Sequence, residues 1–145
     1  MIKMVGFILF LSVLMSGCAT APKVHQIDNS RTYQIGYDKV WEDIVSFFAT
    51  RNIPIKNIAK DSGVIYAETF NIDKSFADCG TPGLAIAGKL HANFNVFVRK
   101  LDENETSVSV NSSFSEQRQF QSNITQVDCN SFGILEKNIL DSIKR

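Results

Sequence analysis

The sequence predicts an α+β domain, an antiparallel sheet of about five strands with two helices on one face, in the order β-α-β-β-β-β-α. Three observations carry this. Residues 37–51 repeat large apolar side chains at helical spacing. Residues 90–101 and 106–118 alternate apolar and polar side chains around the charged turn Asp102-Glu103-Asn104-Glu105, the pattern of a half-buried antiparallel hairpin. Residues 132–144 return to helical spacing. Strands with one dry face need a cover on that face only, and two amphipathic helices supply it.

Residues 30–35 alternate Thr32 and Gln34 with Tyr33 and Ile35 and read as a first strand ended by Gly36. In the helix that follows, Tyr37, Val40, Trp41, Ile44, Phe47 and Phe48 form one apolar stripe. Asp38 is a candidate N-cap, and Asn52 before Pro54 a candidate stop. Residues 53–59 and 64–70 flank Lys60-Asp61-Ser62-Gly63, a turn sequence, and read as a hairpin. Residues 71–89, rich in Gly and Ala, read as a long connection, and long connections are often functional or pinned. In the long hairpin, Leu90, Ala92, Phe94, Val96 and Val98 face inward, answered by Val108, Val110, Ser112 and Phe114. Residues 119–128 read as a polar link. Asn130 or Ser131 then caps a last helix with Phe132, Leu135, Ile139 and Ile143 on its apolar stripe.

The first eighteen residues are of another kind. Lys3 precedes an apolar run over residues 4–15, and Ser16-Gly17-Cys18 follows. A cationic start, a short apolar core and small residues make a secretory signal, and the run is short of the roughly 20 residues that span a bilayer. An ordinary signal peptide or an uncleaved anchor is the bland alternative. Leu14-Met15-Ser16-Gly17-Cys18 resembles the lipobox of bacterial lipoproteins. That resemblance implies cleavage before Cys18, lipidation of its sulfur and amine, and three acyl chains, where one chain alone anchors only marginally. Ala19, in place of an aspartate, implies the outer membrane, with the body on its periplasmic side. The expected organisation is a signal peptide over residues 1–17, a lipidated Cys18 with a short tether to residue 29, and one domain over residues 30–145.

The chain carries 15 basic and 15 acidic residues; Lys3 alone lies in the signal, leaving 14 against 15, a net charge of −1. That balance argues against nucleic acid as a partner, which calls for a basic patch. With Cys18 lipidated and export to an oxidising compartment, Cys79 and Cys129 are the expected disulfide. Two free thiols and a metal pair are the rivals, the latter poor because no His stands near. Three glycosylation sequons, at Asn104, Asn111 and Asn123, carry no sugar in a bacterium and read as exposed-strand composition.

Within the domain, Tyr37-Asp38-Lys39-Val40-Trp41, Ile53-Pro54-Ile55 and Asp61-Ser62-Gly63-Val64-Ile65 resemble the helix-grip domains of BamC-type outer-membrane lipoproteins. Those have a strand leading to a Trp-bearing helix, a hairpin with a Ser-Gly turn, further strands and a closing helix. The resemblance implies a helix-grip-like fold and an accessory role in outer-membrane assembly. BamC has two such domains and a long N-terminal segment; here there is one domain.

No catalytic signature stands out. His25 falls on the tether and His91 on an outward strand face; neither G-x-S-x-G nor a phosphate-binding glycine pattern is present. No cofactor or metal site is expected. The function expected is a non-enzymatic binding or scaffolding module tethered to the membrane, with an envelope protein as partner. Its partner surface is expected on the outward sheet face at His91, Asn93, Asn95, Phe97 and Asn111, with the 71–89 connection second. Phe97 and Phe120, outside the dry pattern, are candidate anchors for a partner. The alternatives are an envelope enzyme or enzyme inhibitor, and a carrier of an apolar ligand held under Phe47 and Phe48.

Overall fold

The structure is a computed structural model that describes residues 19–144. Its elements are β1 (Ser30–Tyr33), α1 (Tyr37–Thr50), β2 (Ile55–Ala59), β3 (Val64–Ile72), β4 (Ala77–Asp78), β5 (Ile86–Asp102), β6 (Glu105–Phe120), β7 (Asn123–Ser131) and α2 (Ile134–Asp141). The class is the expected α+β, with seven strands rather than about five. The sheet runs β2-β3-β5-β6-β7-β4, and β1 pairs with β6 off that path. Every strand pairing is antiparallel.

The β5–β6 hairpin is the spine. Its inward residues Leu90, Ala92, Phe94, Val96, Val98, Val108, Val110 and Phe114 are buried. The far edge of β6 is shared. Its first half pairs with β1, from Ser30 opposite Ser109 to Tyr33 opposite Thr106. Its second half pairs with β7, from Phe114 opposite Cys129 to Phe120 opposite Asn123.

The two helices lie on the same sheet face and join one core. α1 buries Val40, Trp41, Ile44, Phe47 and Phe48; α2 buries Leu135, Ile139 and Leu140, with Ile143 just beyond. These five buried side chains of α1, with half-buried Tyr37, contribute on the order of 10 kcal/mol of gross burial. Phe48 packs on Phe94 with ring centroids 6.0 Å apart and edge-on to Phe47 at 5.6 Å. Asn52 ends α1 as expected, at φ 54°, donating its N–H to Ala49 O at 3.2 Å.

Several expectations are corrected. Asp38 does not cap α1. Gly36 stands at the N-cap without a side-chain bond, and the Asp38 carboxylate instead meets Lys60 Nζ at 2.7 Å. Residues 119–128 are not a link, because they complete β6 and form most of β7. They lack alternation because β7 at this end has no covering element, so both of its faces are wet from Asn123 to Gln126. The 71–89 connection holds the end of β3, a 3-10 turn (Lys74–Phe76), β4 and the first residues of β5. Asn130 and Ser131 belong to β7 and pair with Asp78 and Ala77. Ser131 Oγ accepts from Gly133 N–H at 2.9 Å, so it shapes the approach to α2 without capping it. Phe132 lies outside the helix and packs on the His25 ring, centroids 4.7 Å apart.

Candidate functional site

The sheet face away from the helices is uncovered, and the antiparallel register lays its side chains out in rows. One row runs Phe70, His91, Ser115, Asp128; the next Glu68, Asn93, Ser113; then Tyr66, Asn95, Asn111; then Val64, Phe97, Ser109, Ser30. All five expected surface residues therefore lie on one face, brought together by the two-residue period of β5 and β6. They form a small-residue, amide-rich centre with aromatic rings at two corners, Phe70 and Phe97, both exposed.

The chemistry of this face is hydrogen bonding. The Phe70 ring lies flat on His91, centroids 4.3 Å apart and planes 12° from parallel. His91 Nε2 and Asn93 Oδ1 are shielded from water yet have no hydrogen-bond partner among the described residues. Shielded polar atoms of this kind cost about 1–3 kcal/mol each when unmet. Asn111 is engaged: its Oδ1 accepts from Asn29 Nδ2 at 3.1 Å, while Asn29 O accepts from Val110 N–H at 2.8 Å. A groove of about 370 Å³ opens beside His91, bounded by Phe70, Asn71, Ser115, Gln117 and Gln126. Tyr66 Oη donates to Glu68 Oε1 at 2.5 Å, which raises the phenol above its usual range.

The 71–89 segment, second on the sequence reading, is pinned. Cys79 and Cys129 form the expected disulfide, closing 50 residues with Cα atoms 4.3 Å apart. It joins the end of β4 to its neighbour β7 rather than to the start of α2. Beside it lies a cluster that sequence reasoning missed. Glu116, 2% exposed, accepts from Lys74 Nζ at 2.6 Å and from Arg118 Nε at 2.8 Å. The Arg118 guanidinium also donates to the carbonyls of Cys79, Gly80 and Thr81. Burial pushes the Glu116 carboxyl up, but the bonds from Lys74 and Arg118 outweigh it and hold the carboxyl below its ordinary range. The signal was present: Glu116 and Arg118 fall on the inward register of β6, where an apolar residue belongs. A second buried carboxyl, Glu136, accepts from Ser112 Oγ across the α2–β6 contact.

Residues 19–29 have neither helix nor strand, as read, but they do not hang free. Thr20 N–H donates to Thr81 Oγ1 at 2.8 Å, and Lys23 N–H to Asp78 Oδ2 at 3.1 Å. His25 Nε2 is 3.6 Å from the same carboxylate oxygen. Gly80 admits this strap: at φ +67°, a Cβ there would lie 2.0 Å from Thr20 O. The strap runs from the Gly80 corner along β4 to β1, so it is part of the domain's surface. Periodicity in the sequence could not reveal this, because its contacts are scattered: hydrogen bonds at Thr20 and Lys23, a ring contact at His25 and Ile27 beside Gly133.

Cys18 lies outside the described residues. Among those described, no helix is long and apolar enough to cross a membrane, and no group of three His, Cys, Asp or Glu is placed to hold a metal ion. Under the helices Phe48 is fully buried, and the groove of about 450 Å³ beside Phe47 is bounded by Asp43, Ser46, Arg51, Asn138 and Asp141, a polar lining. The chain matches no family model, no curated protein and no solved structure.

Proposed function

We propose that the chain is a lipoprotein of the bacterial envelope, anchored through Cys18 to the periplasmic side of the outer membrane, and that its domain is a non-enzymatic binding or scaffolding module. The observation that carries this reading is the uncovered sheet face. Helices bury one side of the sheet, while the other presents Asn93, Asn95, Asn111 and neighbouring serines between exposed aromatic corners. Side-chain amides and hydroxyls beside flat aromatic surface suit a protein partner that supplies hydrogen bonds and apolar contact. The partner is an envelope protein, and the resemblance to BamC-type domains supports an accessory role in outer-membrane assembly.

A photo-crosslinking residue at Asn95 or Asn111, in cells, tests the surface, with Glu42 on the outer side of α1 as control. One envelope protein captured at 95 and 111 but not at 42, and lost on Phe97→Ser, supports the reading. Equal capture at all three positions rejects the face as the contact. The rival enzyme reading is separated by His91→Ala: loss of an activity on cell-wall or lipid substrates, with the fold intact, would replace the scaffold reading. Cys18→Ser tests the anchor, since a correctly cleaved protein that still floats with membranes refutes it.

A further inference from the structure

The two ends of the β5–β6 hairpin differ in a way the binding face does not explain. One end is the turn Asp102-Glu103-Asn104-Glu105, with Asp61 and Asp38 nearby in the β2–β3 turn and at the start of α1. At ~3.3 Å per residue, the other end lies roughly 50 Å away. There Leu84 is 81% exposed, Ile86 73%, Ile124 67% and Phe120 45%. All four sit at this tip, Ile86 and Ile124 on one face of the sheet and Phe120 on the other. Ile86 pairs opposite Gln119, Gln119 opposite Ile124, and Phe120 opposite Asn123, while Leu84 sits in the turn closed by Ala85 N–H to Pro82 O.

This end is also free of carboxylates. None occurs from Cys79 to Lys89 or from Gln117 to Val127, and Arg118 is spent on Glu116 and on backbone carbonyls. The described residues begin here, at Ala19. A methyl placed on Gly83 would touch Ala19 Cβ at 3.4 Å, and Thr20 bridges to Thr81. Immediately before Ala19 stand Cys18 and the apolar run of residues 4–15. The strap of residues 19–29 holds Ala19 at the apolar end and leads away from it, so the domain has almost no free spacer.

We propose that Leu84, Ile86, Phe120 and Ile124 form a lipid-contacting tip that seats on the bilayer surface beside the anchor. This rests on the anchored-lipoprotein reading. The occupant is a lipid surface because the membrane-bound end of the chain emerges next to the patch. Apolar side chains at the interface gain burial, and an end without carboxylates escapes repulsion from anionic headgroups. The sheet then stands on the membrane with its acidic turn outermost and its open face sideways to any partner.

The test uses the full lipidated chain in vesicles of phosphatidylethanolamine and phosphatidylglycerol with brominated acyl chains. Leu84→Trp, Ile124→Trp and, at the far turn, Asn104→Trp report contact; Trp41, the native tryptophan, is buried on the core-facing side of α1 and gives a constant background. The expected result is loss of the added fluorescence at 84 and 124 and none at 104. Flotation with no added quenching at 84 or 124 overturns the tip and leaves the anchor standing. Failure of the native chain to float overturns the anchor and the tip with it. Crosslinks between copies through Ile124→Cys, without quenching, assign the patch to a second copy and also overturn the proposal. Leu84 and Ile124 lie in separate segments, so two variants that unfold for unrelated reasons cannot mimic the expected pattern, and an unreactive Cys79–Cys129 pair reports the fold in each.

Discussion

The inward column of β6 contains two differently held halves. Thr106, Val108 and Val110 lie under the helices, and there the column is held by apolar contact with Ile44, Phe48 and Ile139 in one core. Beyond Phe114 the column turns to Glu116 and Arg118, the helices give out, and the covering layer is the 74–81 segment. That layer adds only Ala77, Cys79 and part of Phe76 to the core. It is held by a covalent bond, a buried ion pair and backbone carbonyls on one guanidinium. A hydrophobic core holds whatever fits its volume, whereas a polar latch holds only the geometry that satisfies every donor and acceptor. The latched half is also the half where Ala19 and the exposed Leu84, Ile86 and Ile124 lie.

This contrast can be broken at four points. The largest effect is expected from Phe48→Ala, which should lower the unfolding free energy of the oxidised protein by about 3–5 kcal/mol in urea denaturation. A loss well under that range would show that the helix-covered half does not dominate stability. Next, Cys79→Ala with Cys129→Ala should remove about 2–4 kcal/mol, through the entropy of a released 50-residue loop. Amide exchange should localise the added opening to β4 and β7; uniform opening across β5 would contradict the division. Third, Arg118→Met should cost about 1–3 kcal/mol, because Glu116 keeps Lys74 but three carbonyls lose their donor. Adding Glu116→Gln should recover part of that loss, and no recovery would mean that the two do not act as a pair.

The smallest effect is a difference in pH response. The Glu116 carboxyl has a depressed folded-state pKa, so its contribution is present above its unfolded value, about 4.3, and is lost as pH falls through the lower folded value. Asp78 is held low too, chiefly by the Gly80 N–H and then by Lys23 N–H. Acid should therefore release the 74–81 segment to protease while α1 stays protected. At the other half, burial pushes Tyr33 up to about 12, where its hydroxyl donates to Leu140 O at 2.7 Å. That contribution is complete below about pH 10 and is lost as pH rises through the folded value. Alkali should loosen β1 against α2 first. Simultaneous loss of both halves in acid would remove the distinction.

Much of the domain was legible because its apolar residues repeat at the period of the element that buries them. The α1 stripe and the alternating β5 and β6 columns needed no tertiary information, since burial on one face imposes the pattern directly. The open-face residues were legible for the same reason in reverse: His91, Asn93, Asn95 and Phe97 occupy the other phase of a known alternation. β7 escaped because its exposed end leaves both phases polar. The strap of residues 19–29 escaped because its scattered contacts follow no period. Phe132 was misplaced because an apolar residue one step outside a helix matches its spacing by chance.

By itself, the sequence determined the fold class, the helix-facing core and the open face, and it left Cys79 and Cys129 as a candidate pair. It also specified the acidic turn. The tertiary structure alone decided that β1 crosses to the first half of β6 while β7 takes the second. It alone decided that Arg118 gathers three carbonyls from a segment nearly forty positions away, and that Ala19 lies beside Gly83. The physical reason is range. Periodicity records what one element needs from its own faces, while pairing partners, latches and exit points depend on which distant segments share an edge. Two residues far apart in the chain leave no local trace of the contact they make.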